Sequence, residues 1–337
     1  MRQPKVQVEP SKGGDNITRS QIDTVTGPIG VDELGRTLMH EHVFVTYPEL
    51  LMQYEADFDE PMLIKEAQVR LDAMVSDGVP TIVDLTVLGL GRYIPRIKSV
   101  AAGTEAHIIV ATGMYIWDSL PLPWQTRPPT DSSDPLTELF VSEITHGIGN
   151  TGVRAGILKC ATDVAGVTPD NQRVLRAVAR AHRQTGVPIT THTAHGAGCY
   201  GDSQQAIFLE EGVNLENVII GHACGSSDIP YLRSLMDRGS TLGMDQFGCA
   251  AQGIADEVRI QAVAELCRLG YAAQMVLSHD AVIYQDMTEP YDMSSNHYSY
   301  IPTQIVPELL RRGVSQTDID LMLIDTPARM LAGTEPY

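Results

Sequence analysis

LMHEHVFV, residues 38–45, sets a carboxylate between two imidazoles in an otherwise apolar run. It follows the turn-like Asp32-Glu33-Leu34-Gly35, and Leu38, Met39, Val43, Phe44 and Val45 mark it as a buried strand. Side chains alternate along a strand, so His40 and His42 point to one side and Glu41 to the other. Two residues of strand separate the imidazoles by about 6 to 7 Å of backbone, a spacing that suits joint binding of a metal ion. Taken alone, the octapeptide fits a pair of core histidines satisfied by their neighbours equally well.

Outward from this run, short β-branched stretches alternate with longer amphipathic ones almost to the C-terminus, a βα rhythm. Strands are predicted over 37–45, 81–86, 107–113, 155–160, 188–192, 218–222, 241–244 and 275–280. The intervening helices carry start signals: Asp134-Pro135 before LTELFVSEI, and Thr168-Pro169 before DNQRVLRAVARAHRQTG with Gly186 as its stop. Pro61 and Gly78 bracket the helix after the first strand in the same way. Eight strand–helix units in 337 residues, with no Gly/Ser-rich linker at the middle, predict one α/β domain over residues 21–337. Its expected form is a (β/α)8 TIM barrel rather than a doubly wound sheet, preceded by a flexible polar tail over 1–20. The proline-rich stretch 119–135 follows the third strand and becomes a long loop on the face where barrel active sites lie.

Composition excludes some classes of partner. Hydrophobic residues make up 43% of the chain, enough for a sizeable core, while 24 basic against 42 acidic residues give a formal charge of −18. Such a charge repels phosphate backbones and anionic lipid, so neither nucleic acid nor membrane is expected as a partner. No stretch approaches the roughly 20 apolar residues of a membrane span, and the first residues lack the apolar run of a secretory signal, which predicts a cytoplasmic protein. Cys160, Cys199, Cys224, Cys249 and Cys267 are odd in number and widely spaced, and read as free thiols.

In a TIM barrel, chemistry sits where the strands end. The first predicted strand carries His40 and His42. The fourth, AGILKC, carries Lys159; the fifth, PITTH, ends with His192; the sixth, VIIGH, with His222; the eighth, MVLSHD, with Asp280. Each residue alone has an ordinary explanation: an ion-paired lysine, a helix-capping aspartate, satisfied core histidines. Together they would bury four imidazoles, an ammonium and a carboxylate around one axis, which is costly without a strong counter-charge. A metal centre resolves that cost.

This set resembles the amidohydrolase superfamily. The stretches TLMHEHVF, TIVDLTVLGLGRYIPRI, GILKCATD, THTAH, VIIGH and LSHD are similar to the phosphotriesterase family, most of all to its lactonase branch, and the resemblance runs from about Gly27 to the C-terminus. It implies a binuclear metal site at the C-terminal ends of the strands. His40, His42 and Asp280 would hold the more buried ion, His192 and His222 the more exposed one, and carboxylated Lys159 would bridge the two. Nitrogen and oxygen donors suit zinc first, and also cobalt, manganese or iron. A protonated lysine has no lone pair to offer, so only a neutral Lys159 amine, favoured by desolvation, can react with carbon dioxide.

The resemblance further implies attack by water shared between the ions, with Asp280, Lys159 and Tyr115 as the catalytic residues. Asp280 would take the proton to the leaving group, and Tyr115 would contact the attacking oxygen and a lactone carbonyl. The alternative for Tyr115 is a packed core aromatic. Trp117, Gln246, Phe247 and Tyr284 are expected to join Tyr115 in binding substrate. Gln246, in MDQFG, stands where many lactonase relatives have arginine, and a neutral amide offers no charged fork. The usual acyl-homoserine lactones are therefore less strongly implied. The final loop, AVIYQDMTEPYDMSSNHYSY, is rich in tyrosine and methionine, as an adaptable lid or an ordinary surface loop would be. His195 and His279 would support neighbouring ligands, and His146 and His182 sit on predicted helices without a role. The expected activity is hydrolysis of a small lactone or related carboxylic ester by a homodimer. Phosphotriester hydrolysis ranks second and a non-catalytic metal-binding barrel third.

Overall fold

In the computed structural model, which describes residues 20–54, 58–130, 133–194, 200–249, 254–286 and 297–337, the opening run is one strand, Thr37–Val45, with all nine residues buried. The predicted tail falls almost wholly on residues 1–19, outside the described residues, as do His195, Cys199 and positions 287–296 of the final loop. Among the described residues, Cys160, Cys224 and Cys267 are free thiols.

A short antiparallel hairpin, β1 (Gln21–Thr24) and β2 (Gly27–Gly30), precedes β3 (Thr37–Val45). There follow β4 (Thr81–Asp84), β5 (His107–Gly113), β6 (Ile157–Thr162), β7 (Ile189–Thr193), β8 (Val218–Ile220), β9 (Thr241–Met244), β10 (Met275–Leu277) and β11 (Val282–Gln285). From β3 to β10 the strands pair in parallel in chain order, and β11 pairs back onto β3. The chain between β10 and β11 closes the ring, because Asp280 N–H donates to the His40 carbonyl (3.0 Å) and His42 N–H to that of Ala281 (2.8 Å). The predicted eighth strand is thus one stave broken in two, and the fold is the expected TIM barrel.

The helices begin where their caps predict. Asp134 accepts from Leu136 N–H at the start of Pro135–Thr145, and Thr168 and Asn171 cap Pro169–Thr185 reciprocally. Gly186 ends that helix at φ 71°. Among the described residues, no helix is long and apolar enough to cross a membrane.

Outward-facing strand residues pack with the helices into the main hydrophobic layer. A smaller cluster holds Met39, Val83, Leu85, Ile109, Ala111, Ile157, Ile219 and Val276, joined by Ile22, Leu34, Met330 and Leu331. The polar strand ends lie beyond this apolar filling. Three predicted strands stop early: 81–86 ends at Asp84, 218–222 at Ile220 and 275–280 at Leu277. His222 (φ 56°) and Asp280 (φ 57°) are the two non-glycine residues with left-handed backbone among those described, and neither can continue a ladder.

Gly113, at φ 135°, ends β5 against β6. A Cβ there would lie 1.8 Å from the Lys159 carbonyl oxygen. Gly113→Ala is expected to destabilise the fold by about 1–3 kcal/mol through clash and strain. A denaturant midpoint equal to that of the unsubstituted chain would contradict this.

Candidate metal centre

The strand ends bring together all six positions singled out in the sequence. His40 Nε2 lies 2.9 Å from Lys159 Nζ. One Asp280 oxygen is 3.7 Å from His40 Nε2 and 3.4 Å from His42 Nε2, and the other is 3.7 Å from His222 Nε2. The His40 and His222 rings stack at 4.5 Å, and His192 stands perpendicular to His222 at 4.5 Å. His40, His42 and Asp280 alone place three donor atoms within reach of one ion.

What directs these nitrogens is a set of partners behind them. Asp245, fully buried just past β9, accepts from Nδ1 of His40 (2.8 Å), Nδ1 of His222 (3.0 Å) and the His222 backbone N–H (2.9 Å). Burial alone would raise its pKa, but the His222 and His40 imidazoles outweigh that and hold the carboxylate ionised. A grouping of Asp245 with His40 and His222 also has the spacing of a chelate. Its Nδ1 atoms are the hydrogen-bonded ones, however, so Asp245 acts as their acceptor. Thr86 Oγ1 lies 2.8 Å from His42 Nδ1, and Thr86 is in turn hydrogen-bonded to buried Asp84. Asp163 lies 3.2 Å from His192 Nε2. Each of the four imidazoles therefore has one ring nitrogen held by a protein oxygen, an arrangement that orients metal-binding histidines.

Burial lowers His40 and His192 to about 4 and holds His222 below its ordinary value, so these imidazoles are neutral near pH 7. Burial also brings Lys159, 1% exposed, down to about 8, against the opposing pull of Asp280 and Asp245. For Asp280, burial works upward, but His222, His42 and His40 hold its pKa well below the usual carboxylate range. Neutral imidazoles, a depressed lysine and an ionised carboxylate form a donor set that fits divalent cations.

Glu41, the acid between the two opening histidines, turns away from them. Its Oε1 accepts from Ser278 Oγ (2.8 Å) and from His279 N–H (2.9 Å) and Nδ1 (2.7 Å), and its Oε2 from Ala281 N–H (2.8 Å). It clasps the barrel's seam and shapes the turn that carries Asp280. His279 supports this clasp, with Nε2 accepting from Ile301 N–H at 2.8 Å.

At the mouth, Tyr115 donates to Asp163 (2.6 Å) and accepts from the indole of Trp117 (3.2 Å). Trp117 is 64% exposed. Gln246 is buried, with its amide 3.4 Å from Asp280. Of the other two residues expected to bind substrate, Phe247 is fully buried in the strand–helix layer and so is placed elsewhere, while Tyr284 is half-buried and packs edge-on against Phe58 at 5.1 Å. Both Gln246 and Phe247 lie past the end of β9, where strand alternation no longer sets the direction of a side chain. Sequence reasoning assigned no role to Asp245, Asp163 or Thr86, and gave Glu41 a direction without a partner. The one available signal was that acidic residues in apolar strands must find donors.

Comparison with known proteins matches residues 20–331 to the phosphotriesterase family. A relative from Mycobacterium tuberculosis (strain H37Rv), named phosphotriesterase homology protein, is 47% identical over 92% of this chain and 97% of its own length. The aryldialkylphosphatase of Saccharolobus solfataricus is 35% identical over 74% of this chain and 77% of its own. The N-acetyltaurine hydrolase of Salmo salar is 28% identical over 92% and 97% respectively. A solved structure, described as the phosphotriesterase from Mycobacterium tuberculosis, superposes with a TM-score of 0.89 at 45% identity, covering 94% of this chain and all of the other. With its barrel and its cluster of strand-end histidines, the chain belongs to the phosphotriesterase family, hydrolases acting on esters.

Proposed function

We propose that the centre opens a small lactone or hydrolyses a related carboxylic ester. The observation that carries this reading is the orientation of the imidazoles: each has one nitrogen held by a protein oxygen, while Nε2 of His40 faces Lys159 and Asp280, and Nε2 of His42 and of His222 faces Asp280. His40, His42 and Asp280 would hold one ion, His192 and His222 a second, and carboxylated Lys159 would span them, with zinc first and cobalt, manganese or iron fitting the same donors. A bound pair of divalent ions would lower the pKa of water between them and polarise the ester bond.

The chain's own groups have definable tasks. With a pKa of about 8, on the order of a tenth of Lys159 is neutral amine at pH 7, the form whose lone pair bonds to carbon dioxide as its proton leaves to solvent. Asp280, ionised and 3.4 Å from His42, accepts the attacking water's proton and returns it to the departing alkoxide. Tyr115 and Trp117 wall the mouth with flat apolar surface, which suits the plane of a lactone ring better than a tetrahedral phosphoryl centre. Phosphotriester hydrolysis is the second reading, favoured by the relative named aryldialkylphosphatase.

Protein isolated without chelator is expected to carry close to two equivalents of divalent metal, to lose activity with them, and to show higher kcat/KM on simple lactones than on activated phosphotriesters. Full activity without metal would end the reading. A preference for phosphotriesters would reverse the two substrates.

A further inference from the structure

We propose that Asp163 is a positioning residue that selects which nitrogen His192 presents to the centre and couples that choice to the mouth of the site through Tyr115. The inference rests on the metal-binding reading of His192 and concerns how its ring is set.

Asp163 follows β6 directly, in a turn closed by Gly166 N–H donating to the Asp163 carbonyl at 2.8 Å. Its Oδ1 accepts from Val164 N–H at 2.7 Å, so one oxygen is fixed by the turn itself. The other, Oδ2, meets both the Tyr115 hydroxyl (2.6 Å) and His192 Nε2 (3.2 Å). A carboxylate only accepts, so the phenol donates, and a lone pair on the His192 Nε2 that faces the same oxygen at 3.2 Å would be repelled. His192 therefore carries its hydrogen on Nε2 and its lone pair on Nδ1. The other three imidazoles are set the opposite way, with Nδ1 held from behind at Asp245 or Thr86. His192 is the inverted member of the four, and Asp163 is the group that inverts it. The His192 backbone is anchored separately by Gln204, whose amide donates to the His192 carbonyl at 2.8 Å and to Thr162 Oγ1 at 2.8 Å. Asp163 can thus act on the ring without carrying the strand.

The same geometry assigns the Tyr115 hydrogen. The phenol donates to Asp163 and accepts from Trp117 Nε1, and its ring stands edge-on to His192 at 5.1 Å. It has no second hydrogen for a substrate carbonyl. Tyr115 is thus a brace between the exposed Trp117 and the Asp163–His192 pair, in place of the carbonyl contact that the family resemblance implies.

Two measurements test this. In chelator-treated full-length protein labelled with 15N-histidine, His192 should show the Nε2–H tautomer while His40, His42 and His222 show Nδ1–H; an Nδ1–H signature at His192 overturns the proposal. In titrations with Zn2+ or Co2+ alone, Asp163→Asn, which keeps size and removes the charge, should weaken one equivalent by roughly 10–100-fold, the usual cost of losing such a partner, and spare the other. Asp163→Glu should recover part of that loss, and Tyr115→Phe should keep both affinities within about twofold, because the carboxylate remains to accept from His192. If Asp163→Asn binds both equivalents as the unsubstituted chain does, or Tyr115→Phe loses metal equally, Asp163 does not set His192. Uptake of fewer than two equivalents by the unsubstituted chain would instead remove the metal-centre reading, and this proposal with it.

Discussion

Lys159→Ala is expected to strip the centre of metal and abolish ester hydrolysis, a loss well beyond the roughly 10–100-fold that removal of an outer partner costs. Lys159 is 1% exposed and lies 2.9 Å from His40 Nε2. As an ammonium it would set a buried positive charge against imidazoles proposed to receive cations; as the proposed carbamate it would be an anionic bridge between them. Alanine would remove that bridge and leave a polar cavity beside Asp280. Short carboxylic acids should enter that cavity and restore part of both metal and activity, because they supply the missing oxygens. The checks are metal content by elemental analysis and turnover with acetate or propionate against an amine of similar size. Rescue by the amine and not by the acid would mean that Lys159 works as a cation.

Asp280→Asn should leave the fold intact and lower kcat/KM by roughly 10²–10⁴-fold, the range for loss of a general base, equivalent to about 3–5 kcal/mol of transition-state stabilisation. Asparagine is the informative replacement because position 280 sits at φ 57°, a conformation asparagine tolerates and alanine resists. The amide keeps one oxygen near His42 but cannot hold a proton between attack and departure of the alkoxide. A matched thermal midpoint with a collapsed rate would assign the loss to chemistry. A rate within threefold of the unsubstituted enzyme would take Asp280 out of the proton path.

Much of the barrel was legible because its signals are local. Apolar periodicity marks strands and helices, Asp134-Pro135 and Thr168-Pro169 announce helix starts, and Gly186 a stop, all within a few residues of chain. The six positions at the centre were legible for a related reason: polar groups at the ends of apolar strands are costly unless they meet, and a barrel brings strand ends together.

The opening octapeptide shows where such reading ends. Sequence by itself determined that residues 37–45 form a buried strand with two imidazoles to one side and a carboxylate to the other. Only the tertiary structure decided what the carboxylate does: Glu41 binds Ser278, His279 and Ala281, more than 230 positions away, and no local pattern encodes that pairing. The same holds for Asp245, which serves His40 from 205 positions away and His222 from 23, and for Asp163, which takes the Tyr115 hydrogen across 48. The early ends of β8 and β10, and the inward Gln246 beside the outward Phe247, belong to the same class. Propensity and periodicity are properties of neighbours along the chain. The direction of a hydrogen bond at a strand end is instead set by whichever acceptor the closed barrel places opposite it.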